Sequence, residues 1–113
     1  MDLKKLTNVL NKFINERDWE THHSPKNLVM ALTGEVGELN ECFQWLNEKQ
    51  IEELKNDPDK MVAVEHEVAD VFIYLFRLSQ KMNINFEKAV YKKIELNKLK
   101  YPINSNKSEI NKV

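Results

Sequence analysis

Two acidic pairs at identical spacing are the residues of this chain best suited to chemistry: Glu35-Val-Gly-Glu38 and Glu67-Val-Ala-Asp70. On an α-helix, positions three apart share a face, with Cβ atoms about 5–6 Å apart, so each pair aims two carboxylates in one direction. The second pair lies in Met61–Phe76, where every residue from Val71 to Phe76 is apolar or aromatic. On a 3.6-residue period those residues take up nearly the whole circumference, the pattern of a buried helix. A carboxylate at a buried surface has to be paired, protonated or bound to a metal. No Lys or Arg stands in register with either pair. The simplest common solution is two helices facing each other, with Glu35, Glu38, Glu67 and Asp70 sharing divalent cations; hard oxygen ligands suit Mg²⁺, with Mn²⁺ as the alternative. One Glu-x-x-Glu is most often a solvated helix face. Two of them, both set in apolar helices, bring the metal reading level with that one.

Other side chains could serve such a centre. Glu41 continues the first pattern by one step, as a base for water, as a support to the metal ligands or simply as a solvated acid. Lys93, Asn97 and Lys100 are spaced four and three, so they share a helix face; two cations and an amide suit a phosphate chain, and a solvated lysine face is the plainer reading. Trp19, His23, Trp45 and Tyr74 could bind a base, since stacking is worth about 1–3 kcal/mol per base; core packing is the alternative for each. His22 has no evident role, and His66 is expected to face away from the carboxylates. Di-iron chemistry would want Glu-x-x-His on bundle helices. That spacing occurs only at Glu20–His23, just ahead of a helix cap, so iron is set aside.

The elements that must hold these residues are helical. Asp2 caps a first helix from Leu3 to about Arg17, with Leu3, Leu6, Leu10, Phe13 and Ile14 as its apolar stripe. Ser24-Pro25 is a cap-and-first-turn signature, opening a second helix that runs to about Leu46 with the stripe Leu28, Leu32, Val36, Leu39 and Phe43. Gly34 and Gly37 within it cost about 1 kcal/mol each against Ala, which a close helix neighbour or a close ligand would explain. Asn47 to Lys60 reads as a polar linker with a short helix at Glu48–Lys55. Asp57-Pro58 opens a third long helix to about Met82. Asn85 caps a fourth, Phe86 to about Lys100, which Tyr101-Pro102 ends. The expectation is an all-α four-helix bundle in one domain over residues 1–102, followed by a disordered tail at 103–113 rich in Asn, Ser and Lys. The third long helix is apolar on more faces than its neighbours can cover, which predicts self-association.

Composition agrees. The chain has 113 residues and a net charge of −1, with two glycines and three prolines. One modest core is affordable at this length, and there is no basic field for a nucleic-acid polymer. The one cysteine, Cys42, excludes an intrachain disulfide and reads as a small apolar residue. No apolar run reaches the roughly 18 residues of a membrane span and no signal-peptide pattern is present, so a cytoplasmic protein without membrane partners is expected.

The acidic pairs, separated by 28 residues, resemble those of the all-α nucleoside triphosphate pyrophosphohydrolases of the MazG-like superfamily. Arg17-Asp-Trp19, His23-Ser-Pro-Lys-Asn-Leu28, Gly34-Glu-Val-Gly-Glu-Leu39, Phe43-Gln-Trp45, Asp70-Val-Phe-Ile-Tyr-Leu75 and Asn97-Lys-Leu-Lys-Tyr-Pro102 are similar, in order, to the dCTP pyrophosphatase branch. The resemblance implies hydrolysis between the α and β phosphates of a nucleoside triphosphate, dCTP or a modified dCTP, to a monophosphate and pyrophosphate. It implies Mg²⁺ on Glu35, Glu38, Glu67 and Asp70, base and sugar contacts from Trp19, His23, Trp45 and Tyr74, and phosphate or nucleotide contacts from Lys93, Asn97 and Tyr101. It also implies a homodimer or homotetramer with sites shared between subunits. Lys98 and Lys100 stand where arginines are usual, and Lys does not reproduce bidentate phosphate binding; His66 replaces an acidic or polar residue. Glu38, then Glu41, are the candidates for the base that takes a proton from water. Two rivals are the same chemistry on dUTP or another non-standard nucleotide, and a non-catalytic helical nucleotide-binding or adaptor protein.

Overall fold

The computed structural model describes residues 1–103, so the tail expected from 103 onward lies, apart from Ile103, outside the described residues. The chain forms five helices: α1 (Leu3–Glu16), α2 (Pro25–Glu41), α3 (Glu48–Lys55), α4 (Pro58–Lys81) and α5 (Phe86–Lys100), with a 3₁₀ turn at Glu20–His22. No strand occurs among the described residues. The short helix foreseen in the linker is α3, so the four long helices stand as expected with one small one between them.

Each helix starts where a side chain takes up a free backbone N–H. Asp2 accepts from the Lys5 N–H at 3.0 Å, Ser24 Oγ from Asn27 at 3.1 Å, and Asn85 Oδ1 from Lys88 at 3.0 Å. Asp57 caps the first turn of α4 through the N–H groups of Asp59 and Lys60. Asn47 and Gln50 form a reciprocal capping box at α3, a signal the linker reading passed over. The second helix was expected to reach Leu46 but ends at Glu41. Cys42 and Phe43 donate to carbonyls three residues back, at 3.1 and 3.0 Å, so the last turn tightens and leaves the axis before Asn47 opens α3.

Two helix ends share one device. Asp18 and Asn83 adopt positive φ, 55° and 56°. Trp19 N–H reaches back to the Ile14 carbonyl and Asp18 N–H to Asn15; Ile84 reaches Ser79 and Asn83 reaches Gln80 in the same way. These are Schellman closures, with Asp and Asn in the place glycine usually takes. The first ties the Trp19 backbone to the Ile14 carbonyl at 3.1 Å.

Packing centres on two sets. α2 and α4 form the main helix pair, with Leu28 and Val64 buried. Leu10 and Ile14 of α1 pack with Phe76 of α4, flanked by Leu3, Leu6, Phe72 and Phe86. Phe72, Phe76 and Phe86 form an aromatic trio with ring centroids 5.7–6.0 Å apart, the offset and edge-on arrangements aromatic quadrupoles favour.

The remainder is open. The radius of gyration is 17.3 Å, against about 13 Å for a compact domain of this length. α4, read as a buried helix, is covered on one side only: Val62, Val68, Ile73 and Leu75 remain exposed. Val36 and Phe13, placed on core-facing stripes by spacing, are also exposed, Phe13 at the edge of a cleft it lines with residues of α4. Of the two explanations offered for the glycines, the close helix neighbour is corrected on the same ground. An added Cβ at Gly34 or Gly37 meets nothing within 4 Å, so neither makes room for another helix of this chain.

Candidate active site

The pairing of α2 with α4 turns two helix faces toward each other, and with them the acidic pairs. Oxygens of Glu35, Glu38 and Glu67 lie within 4.8 Å of one another. Glu35 and Glu67 are partly buried and Glu38 is exposed. One oxygen of Glu35 and one of Glu67, both Oε2, are buried with no hydrogen-bond partner. None of these acids enters an ion pair among the described residues. Desolvation, then Glu38, then the charges of Asp70 and Glu67 push the Glu35 carboxyl up to about 7. Desolvation, then Glu38, also raise Glu67. Buried orphan oxygens and mutually repelling acids are what a bound cation would relieve. The donor set, all carboxylate oxygen, fits a hard divalent ion.

Asp70, the fourth acid foreseen, lies outside the tight trio but acts electrostatically on both Glu35 and Glu67. It also lines a cleft of about 220 Å³ formed with Leu10, Phe13, Ile14, Trp19, His23, Ile73, Tyr74 and Arg77. Asp70 is therefore the link between the carboxylates and the cleft. Three of the four candidate base-binding residues, Trp19, His23 and Tyr74, meet there. Trp19 packs edge-on against Phe13 at 5.5 Å and stands 6.4 Å from the His23 ring.

The other candidates are placed elsewhere. Trp45 sits in the turn after α2, 84% exposed, and does not line the cleft. Glu41 is exposed at the end of α2 and is not among the clustered acids. Lys93, Asn97 and Lys100 lie on α5, a helix with no buried residue; Asn97 and the following Tyr101 are half-buried, and the Lys100 ammonium is 5.4 Å from the Tyr101 ring. His66 is exposed. Cys42 is half-buried, its Sγ 3.7 Å from the Glu38 carbonyl oxygen.

Sequence reasoning missed Arg77. It is only 6% exposed and each nitrogen of its guanidinium has a partner. Nε donates to His23 Nδ1 at 3.3 Å, Nη1 to Gln80 Oε1 at 3.1 Å, and Nη2 to Glu20 Oε2. Lys81 Nζ grips the other Glu20 oxygen. The Lys81 ammonium, together with Arg77, holds the Glu20 carboxyl below its ordinary range. Partial burial, then Arg77, push the His23 imidazole down. The sequence did carry a signal: an arginine directly after the apolar run Val71–Phe76 must find a buried partner. Its partners, however, lie 54 and 57 residues away.

Helices that pair two acidic faces beside an aromatic cleft define an all-α protein with a carboxylate centre. A model of the MazG-like family matches residues 31–112. The chain belongs to that family. dCTP pyrophosphatase 1 of Rattus norvegicus is 40% identical over 92 residues, 81% of this chain and 54% of that one. The protein of the same name from Homo sapiens is 39% identical over 101 residues, 89% of this chain and 59% of its own. The chain thus spans about half the length of the curated relatives it matches. A crystal structure of a pyrophosphatase from Archaeoglobus fulgidus shares the fold with a TM-score of 0.80 and 38% identity, over 90% of this chain and 94% of that one. No helix among the described residues is long and apolar enough to cross a membrane.

Proposed function

We propose that the protein is a Mg²⁺-dependent nucleoside triphosphate pyrophosphohydrolase that cleaves between the α and β phosphates of dCTP or a modified dCTP. One observation carries the reading: Glu35, Glu38 and Glu67 converge within 4.8 Å, with no Lys or Arg paired to them among the described residues, next to an aromatic cleft that Asp70 joins to them. The cleft's 220 Å³ is below the roughly 300 Å³ of pockets that enclose a whole ligand, so it suits the base and sugar alone. The triphosphate then extends past Asp70 toward the carboxylates. The names of the relatives, dCTP pyrophosphatase and pyrophosphatase, support the same chemistry.

Glu35, Glu38, Glu67 and Asp70 would hold the metal, with Mn²⁺ as a substitute. When bound, the ion supplies charge neutralisation of the phosphates and activation of water. Trp19 and Tyr74 flank the base and His23 hydrogen-bonds to the nucleoside. Glu38, the most exposed of the trio, takes the proton of the attacking water at its carboxylate, with Glu41 the second candidate. Trp45, Lys93, Asn97, Lys100 and Tyr101 are assigned to nucleotide contacts from the turn after α2 and from α5. The exposed apolar residues of α4 and α5, among them Val68, Leu75, Ile94 and Leu99, support a homodimer or homotetramer, and a cytoplasmic site of action fits a nucleotide substrate. Residues 1–102 are read as the catalytic domain.

A panel of dNTPs and NTPs with Mg²⁺, scored for monophosphate and pyrophosphate, tests the reading. dCTP should be turned over best. Glu38→Gln should lose turnover by at least about 100-fold while keeping its far-UV spectrum, in line with general-base losses. No pyrophosphate release from any nucleotide would leave a binding or adaptor role instead.

A further inference from the structure

We propose that Arg77 is a positioning residue for His23: tied to Glu20, it occupies His23 Nδ1 as a donor, so that the imidazole offers its Nε2–H to an acceptor on the nucleoside part of the substrate. The identity of the ligand rests on the nucleotide reading above; the placement of the imidazole proton does not.

A guanidinium has donors and no acceptor. Its Nε–H, 3.3 Å from His23 Nδ1, therefore requires a lone pair on that nitrogen. A neutral imidazole carries one N–H, which is left on Nε2. Protonating Nδ1 would set an N–H against the guanidinium, and Arg77 and Lys81 both oppose the cationic ring, as does burial. Glu20 favours it, and Glu20 is already gripped by Arg77 and Lys81. Arg77 cannot swing away without releasing Gln80 and Glu20 as well. The 3₁₀ turn that carries Glu20 is thus clamped to α4, and Trp19 and His23 on either side of that turn are held as one wall of the cleft. A lysine at position 77 would lack the planar fork that serves three partners at once.

The test is ¹⁵N imidazole NMR of the full chain at pH 7, without metal or nucleotide. His23→Gln assigns the His23 signals, and the exposed His22 and His66 are internal references. His23 should be a single Nε2–H tautomer, and Arg77→Met should convert it to a mixture like the references. In turnover of dCTP, Arg77→Met should raise KM about three- to tenfold, the value of one hydrogen bond, and lower kcat by less. In a His23→Gln background the same change should raise KM no further. If Arg77→Met does not fold, Arg77→Gln, whose amide can accept as well as donate, replaces it with the same expectations. A mixed or Nδ1–H tautomer in the native chain overturns the proposal, and so does an Arg77 substitution that multiplies KM equally with and without His23. If no nucleotide is hydrolysed at all, the nucleotide reading falls, and the tautomer alone decides this one.

Discussion

Replacing Glu35 by Gln should stabilise the metal-free protein at pH 8 and do nothing at pH 4. Glu35 shares its space with Glu38 and Glu67, their oxygens within 4.8 Å. Two unit charges at that distance repel by about 3.5 kcal/mol at an effective dielectric of 20 and by about 0.9 kcal/mol in water. Glu38 is exposed, so screening puts the relief near the lower end, about 1 kcal/mol. The sign follows from where the proton sits. The Glu35 carboxyl titrates at about 7 in the folded chain, against an ordinary value of 4.5. Below pH 4.5 both states hold the proton and there is no penalty. Between 4.5 and 7 the unfolded chain releases it first, so stability falls as pH rises. Above 7 the penalty is complete. Glutamine keeps the shape and removes the titration. Thermal unfolding followed by circular dichroism in EDTA, at pH 4, 5, 6, 7 and 8, should give equal Tm values at pH 4. At pH 8 the variant should be higher by about 5 °C, since about 1 kcal/mol moves Tm by about 4–8 °C in a chain of this size. Saturating Mg²⁺ should then raise the native protein by mass action and the variant much less. A variant less stable than the native chain at pH 8 in chelator would refute the picture of mutually repelling acids.

Other outcomes can be checked by the same unfolding measurements. Phe76→Ala should cost about 3–5 kcal/mol in urea, because Phe76 is 4% exposed at the centre of the α1–α4 core. Asp18→Gly should add about 0.5–1 kcal/mol by easing a φ of 55°, whereas Asp18→Val should lose more than that. Gly34→Ala should gain about 1 kcal/mol of helix propensity, since the added methyl meets open space; a loss would show that another molecule packs on that face.

Helix starts were readable without any tertiary information. Asp2, Ser24, Asp57 and Asn85 each bond to an N–H two or three residues ahead, so the cap and its partner lie in one short window. The facing of Glu35 with Glu38 and of Glu67 with Asp70 follows from three-residue spacing alone. Helix ends were less legible: Cys42 to Trp45 carries no glycine or proline to mark the stop, and only the tight turn there shows it. The aromatic candidates could be named but not sorted, because whether Trp19 or Trp45 joins Tyr74 depends on how α1 and its Schellman closure cross α4.

What the sequence determined by itself was helix content, caps and the directions in which each acidic pair points, all set by interactions within a turn or two. The tertiary structure alone decided which faces met. It drew three glutamates rather than four acids into one tight group, made Asp70 the bridge to the cleft, and brought Arg77 to Glu20 and His23 across more than fifty residues of chain. Such contacts depend on helix crossing and burial, and no local window of sequence contains both partners.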